Sequence, residues 1–162
     1  MYKALLIAVA AVATLGSSCA FAQDEDAPLP PLIPDVATAL AKVADTSPDS
    51  ERPVLCAALT AMLLDAVDTK QDPAGEPWTG PTGDKAVLTA AYDSWKGALV
   101  QEQQAQMDAD AAASGEPSDP SYTAQNAADQ AFASSYAVYD DTPQDAIKAG
   151  ADACVAAAPH VG

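Results

Sequence analysis

The chain has 162 residues, of which 23 are acidic and 7 are basic, for a formal net charge of −16. A surface of that charge repels nucleic acids and anionic membranes, so neither is expected as a partner. Only 21 residues after Ala22 are Leu, Ile, Val or Phe, whereas 32 are alanine. Few large apolar residues with high charge are typical of disordered chains, but alanine favours helices. The periodicity of the apolar residues therefore has to distinguish a disordered chain from a helical one.

Residues 1–22 have the layout of a secretory signal peptide. A short basic start precedes an apolar run over residues 4–15, and Ala20, Phe21 and Ala22 form an A-x-A cleavage site. The run is shorter than the roughly 20 apolar residues of a transmembrane helix. We therefore expect cleavage after Ala22 and no stable membrane insertion of the remaining chain.

Cys19 raises the alternative of a lipoprotein, in which it would become the first residue of the mature chain. That signal has an aliphatic residue three positions before the cysteine, and Gly16 stands there instead. A lipid anchor at Cys19 is therefore disfavoured. We expect a periplasmic or secreted protein without Cys19.

Residues 23–34, QDEDAPLPPLIP, predict an extended, proline-rich acidic leader. Its Leu29, Leu32 and Ile33 are expected to lie against the following domain, and a PxxP-type recognition segment is the alternative. Residues 35–162 are predicted to form a single helical domain.

Two helices are predicted in the first part of that domain. The first covers residues 35–45, with one apolar face made of Val36, Ala39, Leu40 and Val43. The second, over residues 53–68, has the clearest helical spacing and is predicted to be the core helix. Its apolar positions are Leu55, Leu59, Met62, Leu63 and Ala66, with Thr60 elsewhere on the wheel.

A long loop rich in proline and glycine, residues 70–84, precedes the third predicted helix, residues 84–113. The front half of this helix is amphipathic, whereas its rear half is polar and is expected to project into solvent or to fray. The apolar stripe consists of Leu88, Tyr92, Trp95 and Leu99, widened by Val87, Ala91 and Ala98.

Two further helices are predicted after a break at residues 114–121. The fourth covers residues 122–139, with an apolar face made of Ala128, Phe132, Tyr136 and Tyr139. The fifth begins with Thr142 as the capping residue, Pro143 in the first turn and Asp145 near the N-terminus, and ends near Ala158. With no alternating β-branched pattern, the chain is predicted to be an all-α, alanine-rich bundle of four to five helices.

Cys56 and Cys154 remain after the signal peptide is removed, and an even number of cysteines in an exported protein indicates a disulfide. Cys56 lies beside the apolar face of the second helix, and Cys154 shares a face with Ile147 and Ala151 on the fifth. The sequence therefore predicts one long-range disulfide between them. A redox-active or metal-binding pair is disfavoured because there is no C-x-x-C spacing and almost no histidine.

No catalytic constellation is found, and no cofactor or resident metal is indicated. His160 is the only histidine and lies three residues from the chain end. Acidic clusters occur at Asp24–Asp26, at Asp108 with Asp110, and at Asp140 with Asp141, but none matches a calcium-loop pattern. Catalysis by paired carboxylates is compatible with the residue types and is the least favoured hypothesis.

Aromatic residues are the remaining candidates for binding. Trp78 lies in the Pro/Gly loop and is either a binding platform or a plug for the end of the core. A second set, predicted either to line an inter-helix pocket or to pack as ordinary core, consists of Tyr92, Trp95, Phe132 and Tyr136.

These features predict a non-catalytic exported protein that acts by surface binding to a partner in the cell envelope or outside the cell. The alternative is a carrier that takes a small apolar ligand into the aromatic pocket. The expected partner is thus a protein or a small apolar molecule, and no pattern in the sequence indicates an oligomeric state.

Overall fold

The protein is all-helical in a computed structural model that describes residues 33–47, 50–115, 121–138 and 141–159. The signal peptide, Cys19, most of the leader, Tyr139, Asp140 and His160 lie outside the described residues. The five helices are α1 (Val36–Ala44), α2 (Arg52–Thr69), α3 (Lys85–Ser114), α4 (Ala124–Val138) and α5 (Gln144–Ala157). The predicted helical bundle and its helix order are confirmed.

Helix α2 is the centre of the bundle and contacts each of the other four helices. All five of its predicted core positions are buried, and so are Cys56, Ala57 and Ala58. Thr60, which its position on the helical wheel places outside the apolar face, is also fully buried. Its hydroxyl donates to the Cys56 carbonyl at 2.6 Å, which satisfies the polar group within the helix itself.

Helices α3 and α5 run in the opposite direction to α2. Lys85 at the start of α3 pairs with Asp68 at the end of α2, whereas Arg52 at the start of α2 lies over the ring of Trp95. The disulfide likewise joins the first turns of α2 to the last turns of α5. The beginning of α2 and the end of α5 therefore lie at the same end of the bundle.

Helix α1 packs across α5 and α2 at a point of close approach. Gly150 on α5 is buried, and a Cβ atom at this position would lie 2.6 Å from Leu59 Cδ1 and 3.5 Å from Ala39 Cβ. Ala39 and Val43 are buried in this contact as predicted, but Leu40 is 43% exposed. The prediction that Leu40 faces the core is wrong, since α1 is covered along a narrow strip only.

Helix α3 is continuous to Ser114, beyond the half that packs against the bundle. Leu88, Trp95 and Leu99 are buried as predicted, whereas Val87 is 50% exposed and does not extend the buried stripe. In the rear half most side chains are exposed, and Val100, Gln103, Met107 and Ala111 are half-buried. The polar rear half is therefore a regular helix with a partly covered side.

The helix ends show how local side chains set the boundaries. Asp35 accepts from the Thr38 amide at the start of α1, and Asp84 accepts from the Ala86 and Val87 amides at the start of α3. Thr142 does not cap α5 as predicted: Pro143 is the N-cap residue, and the buried Thr142 hydroxyl has no hydrogen-bond partner within the described part of the chain.

Two connecting segments are ordered by contacts with the bundle. Ile33, at the end of the predicted leader, is fully buried in the core. The Pro/Gly loop closes on itself through a bridge between Gln71 and Pro77. No helix within the described ranges is both long and apolar enough to cross a membrane.

Candidate functional site

The predicted disulfide is present at the end of the bundle where α2 begins. The Cys56 and Cys154 sulfurs lie 2.01 Å apart, and both residues are fully buried. Beside them, the Trp95 indole Nε1 donates to the Cys154 carbonyl at 3.0 Å, and the Arg52 guanidinium lies 5.2 Å from the Trp95 ring centroid. Trp95 thus belongs to the buried junction of α2, α3 and α5.

A second contact joins α3 to the chain after α5. The hydroxyl of Ser94, a residue that is 6% exposed, donates to the carbonyl of Pro159. Because Ser94 and Trp95 are adjacent on α3 and both bind the end of α5, this end is attached to α3 at two points. The side of α3 that carries Val87 is left uncovered beside this attachment.

An open groove of about 410 Å³ lies between the first half of α3 and the last turn of α5. Its lining is almost entirely made of small apolar side chains, with Ser94 as the polar exception. The lining residues are Val87, Ala90, Ala91, Ser94, Val155, Ala158 and Pro159. We call this feature the α3/α5 groove.

The charges around the α3/α5 groove are negative. Asp93 follows Ala90 by three positions, which places it on the same side of α3, and it is exposed. The last turn of α5 has no basic residue, so no side chain of α5 itself compensates the partial negative charge of its C-terminal end. The positive N-terminus of α3, by contrast, is already compensated by the Asp84 carboxylate.

The α3/α5 groove was not predicted from the sequence. Val87 was assigned to the buried stripe of α3 because its position on the helical wheel lies beside Leu88 and Ala91. In the structure Val87 is 50% exposed and lines the open groove between α3 and the end of α5. The one sequence signal for this region is the run of alanines at the end of α5, which permits a close approach without filling the space above it.

The predicted aromatic set divides into two parts. Tyr92 and Phe132 form an edge-to-face pair with ring centroids 6.0 Å apart, and Phe132 and Tyr136 lie 5.7 Å apart, so these three rings meet between α3 and α4. Trp95 is 4% exposed and takes part in the disulfide junction instead. The structure therefore brings together three of the four residues, all half-buried.

Polar groups surround the three aromatic rings. Lys96 Nζ lies 4.6 Å from the Phe132 ring centroid and 2.7 Å from an Asp129 carboxylate oxygen. The Tyr136 hydroxyl donates to Asp65 at 3.4 Å. The hydrogen bond from Lys96, helped by one from Gln125, holds the pKa of Asp129 below its usual value. These contacts fasten α4 to α3 and α2.

Trp78 is half-buried and packs against the core. Its backbone amide donates to the Lys70 carbonyl at 2.9 Å, while its buried indole N–H has no hydrogen-bond partner among the described residues. The adjacent Thr79 donates to the side chain of Gln144, whose amide nitrogen donates to Asp72 and to Pro77. The loop is thus docked onto the start of α5, and the side chain of Trp78 within the loop packs against the core.

The acidic groups of the described residues form no cluster of three or more potential metal ligands. Asp108 and Asp110 accept instead from Gln104 and Gln106, one helical turn earlier. The backbone amide of Thr38 lowers the pKa of Asp35, and partial burial raises the pKa of the Glu102 carboxyl. Both are local effects of helix capping and packing.

Comparisons with protein-family models, with curated proteins and with solved structures found no match for this chain. The interpretation of its function therefore depends on the groove, the buried junction and the charges described above.

Proposed function

We propose that this chain is an exported, non-catalytic helical protein that acts by binding a partner through the α3/α5 groove. The observation that supports this proposal is the half-exposed Val87 beside a groove of about 410 Å³ with an apolar lining. A surface groove with an apolar lining offers apolar area that a bound partner can remove from water. Export rests on the signal-peptide layout of residues 1–22.

Surface binding fits the groove better than the carrier alternative fits the aromatic set. A carrier pocket encloses most of its ligand, whereas the α3/α5 groove is open along its length. Trp95 is hydrogen-bonded in the core, and the rings of Tyr92, Phe132 and Tyr136 pack against one another. The aromatic residues are therefore assigned a packing role within this proposal.

The experiment compares capture of native partners from the cell envelope and the culture medium by three forms of the chain. Wild type is compared with Val87→Ser, which makes the groove polar, and with Leu40→Ser as a matched control. Leu40 is 43% exposed on α1, so the control also removes an exposed apolar side chain. We expect a partner that wild type and Leu40→Ser retain and Val87→Ser loses.

Two results would contradict the proposal. Equal recovery by all three forms would show that the groove is not the binding surface. Saturable binding of an apolar probe such as ANS, with a shift in tryptophan emission and no loss in Val87→Ser, would instead support the carrier.

A further inference from the structure

We infer that the α3/α5 groove selects a cationic amphipathic segment, one that presents an apolar stripe to the groove and lysine or arginine to its edges. This inference rests on the proposed function and adds the chemistry of the partner. It follows from the apolar lining of the groove, the exposed Asp93 on α3 and the absence of a basic residue from the last turn of α5.

The floor of the groove can accommodate a row of apolar side chains from a partner. Ala90 and Ala91 on α3 and Ala158 on α5 have the smallest side chains that still present an apolar surface, so another helix or extended segment can approach closely. Val87 at the edge is half exposed and offers apolar area for burial. The groove therefore supplies hydrophobic contact but little enclosure.

Asp93 and the end of α5 supply the charge preference. The Asp93 carboxylate has no hydrogen bond or ion pair with any other residue in the described part of the chain. The last turn of α5, which lines the groove through Val155, contains no basic residue. Both groups favour a cation at the edge of the groove, and the formal net charge of −16 strengthens that preference at long range.

The same charge argues against a second copy of the chain as the occupant. Two copies would each bring a net charge of −16 to the contact and would place Asp93 near another acidic surface. Lys85 on α3 and Lys148 on α5 are already paired, with Asp68 and Asp152 respectively. A partner with its own lysine or arginine residues removes this repulsion.

The test uses a synthetic amphipathic peptide of about 14 residues, with leucine at helical spacing and lysine elsewhere, as a probe. One control peptide has the same composition with leucine and lysine scrambled, and another has glutamate in place of lysine. Binding is measured by fluorescence anisotropy on the chain as recovered from expressing cells. Backbone amide chemical shifts in NMR spectra show where the peptide lies.

We expect saturable binding of the lysine peptide, with chemical-shift changes concentrated at Ala90, Ala91, Val155 and Ala158. Val87→Ser should weaken binding about three- to tenfold through lost apolar contact. Asp93→Asn should weaken it about two- to fivefold, as for a surface ion pair, and less at high salt. Asp108→Asn, a matched change on the far part of α3, should change binding by less than about twofold.

Several results would overturn the inference. Equal binding of the glutamate peptide or the scrambled peptide would show that the groove does not select a cationic amphipathic segment. Chemical-shift changes away from the groove would show that the peptide binds elsewhere. A wild-type dimer that Val87→Ser converts to a monomer in sedimentation velocity would identify a second copy as the occupant.

If a native partner is lost in Val87→Ser but is acidic, the proposed function stands and the cationic preference is wrong. If the peptide binds in the groove but no native partner is captured, the preference stands and the proposed function fails.

Discussion

The indole Nε1 of Trp95 donates a 3.0 Å hydrogen bond to the carbonyl oxygen of Cys154, directly beside the disulfide that Cys154 forms with Cys56. This carbonyl lies near the end of α5, where helix carbonyls lack partners within the helix. One buried side chain of α3 thus satisfies the terminus of α5 and holds it against α2. Trp95 therefore serves the buried junction rather than a ligand pocket.

The two tryptophans provide a matched test of this arrangement. Trp95→Phe should lower the free energy of unfolding by about 2–4 kcal/mol, because it leaves the Cys154 carbonyl unpaired and a space in the core. Trp78→Phe should change it by less than about 1 kcal/mol, since the indole N–H that is lost has no hydrogen-bond partner among the described residues. Urea unfolding followed by circular dichroism measures both. Equal losses would contradict the assignment of Trp95 to the junction.

Removal of the disulfide should destabilise the protein strongly. The bond joins residues 98 positions apart, and on the chain-entropy model a loop of that size contributes about 4–5 kcal/mol. The Cys56→Ala/Cys154→Ala variant should lose about that much in urea unfolding, with the reduced wild-type protein as the comparison. Two titratable thiols in denatured, unreduced wild type would show that the bond is absent.

Two glycines within helices should respond in opposite ways to alanine. Gly150→Ala should destabilise the protein by about 1–3 kcal/mol, because the new methyl group would overlap Leu59 at the crossing with α1. Gly97→Ala should stabilise it by about 0.5–1 kcal/mol, since nothing lies within 4 Å of a Cβ there and alanine favours helix. Thermal unfolding of both variants gives the comparison. A stabilised Gly150→Ala variant would contradict the close approach of the helices.

Gln144 should control how firmly the Pro/Gly loop docks. Its side chain accepts from Thr79 and donates to Asp72 and Pro77. In Gln144→Ala, hydrogen exchange of the Thr79 amide should accelerate about two- to tenfold, with a loss of about 1–2 kcal/mol in stability. Gln125→Ala, which removes one exposed bond to Asp129, is the control. Unchanged exchange at Thr79 would show that the loop is held by other contacts.

Acid should weaken the start of α1. The Thr38 backbone amide lowers the pKa of Asp35 from its ordinary value of 3.8. A lowered native pKa contributes stability above the unfolded value, and this contribution is lost as the pH falls through the native pKa. Asp35→Asn, which keeps a capping oxygen but cannot titrate, should therefore lose less stability than wild type between about pH 5 and pH 2. An NMR titration midpoint for Asp35 at or above 3.8 would contradict this expectation.

The helices were predictable because each has a strong local signal. Leu55, Leu59 and Met62 repeat at helical spacing, and the Pro/Gly breaks separate the helical segments clearly. The even number of cysteines, and their positions on the apolar faces of two helices, were enough to predict the Cys56–Cys154 bond. Helical periodicity is a property of residues close together in sequence, and the disulfide prediction depends on the even number of cysteines. Neither depends on the angles between helices.

The errors lie where neighbouring helices determine exposure. Leu40 and Val87 were placed in the core by their helical wheels, but α1 is covered along a narrow strip and α5 crosses α3 beside Val87. The helical wheel places Thr60 outside the core, but α2 contacts all four other helices and Thr60 is fully buried. A helical wheel gives the direction of a side chain and not whether another helix lies in that direction.

From its sequence alone, this protein is identifiable as an alanine-rich helical bundle with one long-range disulfide, because helix periodicity and cysteine pairing are encoded locally. The α3/α5 groove and the separation of Trp95 from the other aromatic rings depend on the way α5 crosses α3. That crossing is held by contacts between residues far apart in the chain, namely Trp95 with Cys154 and Ser94 with Pro159. Local sequence patterns do not specify such contacts, because they form only when the helices pack together.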